Sequence, residues 1–407
     1  MRTFLVVFSV FVAACGDSNS NPPLPTVCGT HPGGGLQDFD SPCDPGPNGF
    51  YLTASGEPFG INGYRFPPTS PDDVALVDGY DITYDRVLST FDKVTLSDDP
   101  DKSPTDQSQT GPAVAELDGP FAVDLHAGGP GMGKDGEPVP FVGAFTGQNL
   151  NGNEAFDPTV RYAFGFDVVV ASASAHNINL DAAAVTDYQE MITKGYTTLL
   201  VGTATWKGNN NGDLANSGCT STIAGYDFSK LPQVIKFRIG MKAPTSYINA
   251  QNPDLDPAQA FPGEEHQRGV NIVTNASQIT QLTFHLDHAF WESFVHDSPA
   301  HFDQFVSRYA GAATMPTIVL EDFQGKAFQP FVDALGNPVP WRECLGDTPP
   351  TNGAMTFSTE SVTVNPAGDP STSIRDFYDY TQYNQSTFGH LNADGLSFVE
   401  RHYPSPP

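Results

Sequence analysis

Basic residues are scarce in this 407-residue chain: 19 Lys and Arg stand against 47 Asp and Glu, for a formal net charge of −28. A surface of that sign repels phosphate backbones, which argues against nucleic acid as a partner. Cysteine is scarcer still, with five residues and no C-x-x-C spacing. That pattern speaks against a zinc ribbon or a dithiol redox centre. Beyond the first residues no apolar run is long enough to cross a bilayer. No G-x-S-x-G elbow occurs to present an activated serine. Helical periodicity is confined to two segments, and no repeat of fixed period is present.

The opening residues are of a different kind. In "MRTFLVVFSVFVAACGDSNS" one cation, Arg2, precedes an apolar run from Phe4 to Ala14 that ends in Val12-Ala13-Ala14-Cys15. This is the pattern of a secretory leader, and its end resembles a bacterial lipobox. The resemblance implies that residues 1–14 are removed and that Cys15 is lipidated. Gly16 stands where an inner-membrane retention signal has Asp. The expectation is an exported protein tethered to a membrane through its N-terminal lipid, at the outer membrane or cell surface of a Gram-negative bacterium. An ordinary cleaved signal peptide is the alternative.

Residues 15–50 are dense in Ser, Asn, Pro and Gly, a composition that buries little apolar surface and reads as a stalk. Cys28, Cys43, Cys219 and Cys344 suggest two disulfides, with three pairings open. Chain order favours Cys28–Cys43.

Residues 51–407 read as a β-rich body. "RYAFGFDVVVA" alternates Tyr162, Phe164, Phe166 and Val168 against Ala163, Gly165 and Asp167. Similar short runs recur along the chain, and 36 prolines and 39 glycines supply turns between them. The two helical patterns are Asp181–Gly195 and the segment from Ser298, with Ser298 as N-cap and Pro299 in the first turn. Many strands without βαβ alternation predict an all-β fold, an antiparallel β-sandwich or jelly-roll-like body with a few short helices on loops. A small C-terminal module from about residue 350 is a further possibility.

Chemistry concentrates in "QLTFHLDHAFWESFVHDSPAHFDQF", residues 281–305, which holds four of the ten histidines. Strand alternation turns His285 away from the apolar face, with Asp287 and then His288 beyond it. Neutral imidazoles beside a carboxylate suit borderline divalent metals, so copper or zinc is the expected ion. His285 and His288 are the expected ligands, with Asp287 a ligand or an orienting group; His126 and His176 are candidates from elsewhere in the chain. Calcium is a separate expectation for the acidic loops "SDDPDKSPTD", "NNNGDLANSG" and "NADG", none of which matches an EF-hand.

Three motif look-alikes fail. "GGPGMGKD" has the spacing of a P-loop, but Asp135 replaces the Ser or Thr that holds magnesium. "LHAGGPG" is an oxyanion-type loop interrupted by Ala127. "TFHLDH" lacks the first histidine of the zinc-hydrolase signature, having Thr283 there.

"VDGYDITYDRVLSTFDKVTLS", "AVDLHAGG", "PGEEHQRGVNI" and "YNQSTFGHLNADGLSFV", together with the histidine segment, resemble exported lipoproteins of myxobacteria and related bacteria. That resemblance spans most of residues 58–407 and brings no activity with it. The order of a "DG" strand, a "DL" strand and a late histidine-bearing strand is similar, more loosely, to periplasmic copper-binding lipoproteins of the methanobactin-partner type. Those use histidines, sometimes beside an oxidised tryptophan, and Trp291 stands three residues past His288. The family's tryptophan-rich segment has no counterpart here. The functional expectation is therefore metal binding through a His/Asp cluster. A metal-free structural or adhesive surface lipoprotein, with an unknown protein partner, is the first alternative. A metal-dependent hydrolase with Glu292 as base is the second.

Overall fold

The structure is a computed structural model, and it describes residues 45–403 except 71–72, 209–217, 275–277, 296–297, 315–316, 328, 347 and 350–351. Cys15, Cys28, Cys43, the leader and most of the stalk lie outside the described residues. So does nearly all of "NNNGDLANSG".

Strands dominate, as expected of an all-β fold, and they form two main sheets. Eleven strands define the frame: β1 (Phe50–Ser55), β2 (Tyr80–Ser97), β3 (Phe141–Phe145), β4 (Arg161–Val168), β5 (Thr198–Trp206) and β6 (Val234–Met241), then β7 (Thr245–Ile248), β8 (Gln278–Phe284), β9 (Thr317–Val319), β10 (Gly389–Leu391) and β11 (Phe398–Arg401). The larger sheet runs β9-β6-β5-β2-β4-β7-β11, and the smaller runs β10-β8-β1-β3. Most pairings are antiparallel, but β1 lies parallel to β8 and β6 parallel to β9. The sheets are therefore mixed, which the short apolar runs alone do not specify.

The alternation read in β4 and β8 is what joins the two sheets. Phe284 of β8 meets Phe91 of β2, ring centroids 5.1 Å apart, and Phe166 of β4 at 6.5 Å. These rings sit in one continuous apolar core. Met355, Phe357, Phe377 and Phe388 belong to that same core, so the segment after residue 350 packs with the rest of the body.

Helices are few. Helix α1 (Glu57–Asn62) follows β1 directly. Helix α2 (Ala182–Lys194) begins where expected: the Asp181 carboxylate accepts from Ala184 N, and Gly195 closes it at φ 72°. Helix α3 (Phe377–Gln385) is capped by Asp376 and leads into β10. The predicted helix from Ser298 does not form. Ala300 instead bridges back to Trp291, and the helical turn starts only at Asp303. Its cap comes from far away in sequence, because Asp78 Oδ2 accepts from the backbone N–H of Phe302 at 2.6 Å and of Asp303 at 2.7 Å. Asp303 is in turn bound to the buried guanidinium of Arg342, at 2.9 and 2.5 Å. Nearby, Cys219 and Cys344 form a disulfide. Among the described residues no helix is long and apolar enough to cross a membrane.

Candidate metal centre

Strand β8 places Leu282 and Phe284 in the core and Thr283 on the opposite face. The strand ends there, and the alternation that would have carried Asp287 along with His285 ends with it. Residues Leu286–Phe290 form a 3-10 turn with His285 at its N-terminal edge. A 3-10 turn has about three residues per turn, so positions three apart eclipse. His285, His288 and Trp291 thus fall on one side, with Leu286 and Phe290 sunk into the core at 0 % exposure.

The third imidazole comes from 102 residues past His288. Strand β10 pairs antiparallel with the end of β8, with His390 directly opposite Thr283. Directly opposed residues share a face, so His390 arrives beside His285. His285, His288 and His390 are all buried, and one nitrogen from each lies within 4.8 Å of the others. The rings of His285 and His390 stack at 4.1 Å and 17°. His288 stands across both, 5.2 Å from His285 at 73° and 5.5 Å from His390 at 83°.

Each ring is pinned by a backbone carbonyl. His288 Nδ1 donates to Thr387 O at 2.9 Å, with Thr387 Oγ1 also at 2.9 Å. His390 Nε2 donates to the same Thr387 O at 3.1 Å. His285 Nε2 donates to Ala393 O at 3.2 Å. A ring that gives its proton to a carbonyl carries its lone pair on the other nitrogen. That is how ligating histidines are oriented in metal sites. Ala393 presents its carbonyl from φ 76°, a left-handed conformation costly for a residue with a Cβ and held here by the hydrogen bond from Ala393 N to Thr283 Oγ1, 3.0 Å.

Asp287 does not join the three nitrogens. Its Oδ2 accepts from Trp291 Nε1 at 3.0 Å. The indole so held lies on the His288 ring, centroids 3.4 Å apart and planes at 29°. Tyr380 OH and Asn384 Nδ2 of α3 donate to Trp291 O at 3.1 and 3.3 Å. Asp287 and α3 thus fix the lid over His288.

Acidic groups gather on the other side. Glu57 Oε1 of α1 is 3.4 Å from His285 Nε2, and Asp394 Oδ1 is 3.7 Å from it. Burial pushes the Glu57 carboxyl up to about 9, reinforced by Asp287, Asp135, Asp394 and Glu137. Their summed field favours a cation at the cluster.

The remaining predicted residues lie elsewhere. His126 Nδ1 bonds Gly60 O at 2.9 Å. His176 is in a short strand of its own against Phe121. Neither belongs to the three-nitrogen group. Glu292 faces His301, Oε2 to Nε2 3.3 Å. His296 lies outside the described residues. Of the acidic loops, Asp101 is paired with Arg161, and "NADG" is the turn that carries Ala393 and Asp394.

Sequence reading missed His390. Its one signal was a histidine in "TFGHLNADG", whose period-2 flanks mark a short strand, but nothing local says which strand it pairs with. No family model, curated protein or solved structure matches this chain.

Proposed function

We propose that this is an exported, lipid-anchored protein whose body binds a copper-like or borderline divalent ion, copper or zinc, through His285, His288 and His390. The observation that carries the reading is the convergence of three buried imidazole nitrogens within 4.8 Å, each ring oriented by a carbonyl. Three neutral nitrogen donors and no thiolate suit copper or zinc better than calcium, which asks for six to eight oxygens. Because His285 and His390 stack nearly parallel, an ion held in the plane of both requires one ring to turn about its Cβ–Cγ bond on binding. Glu292, the base that a hydrolase would use, faces His301 and is not among the groups that converge at the triad, so binding is better supported than turnover.

The test is a titration of the purified body with copper and with zinc, against single alanine variants at 285, 288 and 390. A tight equivalent that each substitution weakens by about 100-fold or more is expected, the scale of losing a ligand rather than a supporting group. No tight equivalent under metal-replete conditions favours the adhesive reading.

A further inference from the structure

Glu292 and His301 occupy facing positions on two segments tied together by the Trp291–Ala300 bridge, with Glu292 N bonded to Pro299 O at 3.3 Å and His301 N to Phe290 O at 2.9 Å. Both are buried, Glu292 to 8 % exposure and His301 to 3 %. Their side chains meet at 3.3 Å, Oε2 to Nε2, yet Oε2 makes no hydrogen bond among the described residues. A buried carboxyl oxygen with no hydrogen-bond partner asks for an explanation, and an ion is one of few. The spacing fits: two ligands each about 2.0–2.1 Å from a tetrahedral ion are roughly 3.3–3.4 Å apart.

The surroundings agree. Glu343, also buried, is close enough to add to the burial that raises the Glu292 carboxyl to about 8. The nearby guanidinium of Arg342 is committed to Asp303, and no Lys or Arg among the described residues pairs with Glu292. Burial first and the Arg342 charge second hold His301 down at about 3, so its ring is neutral, the form a ligand needs. The Trp341 ring closes the site from the side, 4.3 Å from His301.

We infer that Glu292 and His301, with Glu343 turning in as third donor, form a second cation site, selective for a borderline divalent ion such as zinc. Two donors stand in position, whereas the histidine triad has three. The donor sets also differ: carboxylate oxygens here make a harder site than three imidazoles. This site shares no ligand with the triad.

The experiment is zinc calorimetry, with zinc content after gel filtration, on the full chain and on the His285→Ala/His288→Ala/His390→Ala variant. The triple variant is expected to keep one zinc per chain. Adding Glu292→Gln should weaken that zinc at least 10-fold, and adding His301→Gln, made in parallel in case either variant fails to fold by circular dichroism, should do the same. A triple variant that binds no zinc overturns the inference. So does a retained zinc that neither added substitution weakens. If the triple variant binds as much zinc as the full chain, the triad reading fails, and Glu292→Gln alone then decides this one.

Discussion

His288 and His390 donate to one and the same oxygen, the carbonyl of Thr387, at 2.9 and 3.1 Å. A single peptide group at the end of α3 thereby sets the tautomer and tilt of two rings from different parts of the chain. Thr387 Oγ1 adds a second acceptor for His288 while donating to Asn384 O at 2.7 Å. Thr387→Val keeps the carbonyl and removes the hydroxyl. Metal affinity should fall about 10-fold, the scale of an orienting group, measured by competition with a chromophoric chelator.

The indole on His288 offers an internal reporter. Trp291 touches the ring face, whereas Trp206 and Trp341 pack elsewhere. Copper should quench a share of the tryptophan fluorescence that Trp291→Phe abolishes. Asp287→Asn should lower affinity by about 10-fold without removing an equivalent, because Asp287 holds Trp291 and not the ion. Loss of the whole equivalent in that variant would make Asp287 a ligand.

Glu57 makes the metal-free protein pH-sensitive. Its carboxyl titrates near 9 in the fold against 4.5 when unfolded, through burial first and the neighbouring carboxylates second. Between those values the folded state holds the extra proton, so the stability that Glu57 contributes is complete below about pH 4.5 and is lost as pH rises through 9. Glu57→Gln, which cannot ionise, should raise the Tm of the metal-free protein progressively from pH 5 to pH 9 and leave it unchanged at pH 4. A flat difference across that range would contradict the assignment.

Arg342 is the cation that offsets Asp303, with Asp78 beside them. Removing one partner of a buried pair leaves the other charged group uncompensated, at about 3–5 kcal/mol. Arg342→Met should therefore lower the urea midpoint by that equivalent. A change below 1 kcal/mol would mean that the pair is dispensable to the fold.

How far the sequence was legible follows from the same contacts. Period-2 alternation exposed the strands, and with them the face on which His285 lies. Spacing along the chain offered His285 and His288 together, and a 3-10 turn, not strand alternation, is what unites them. His390 was illegible because its partnership depends on strand pairing across 107 residues from Thr283. The helix expected from Ser298 failed for a related reason: a remote carboxylate, Asp78, supplies the cap and shifts the start to Asp303. Local capping chemistry was outweighed by a tertiary contact.

Extended X-ray absorption of the chain loaded with one equivalent of copper addresses the three-nitrogen centre most directly. Three imidazole nitrogens at about 2.0 Å, reduced to two in His390→Ala, are the predicted result. A first shell dominated by oxygen or sulfur, or one that His390→Ala leaves untouched, would contradict it.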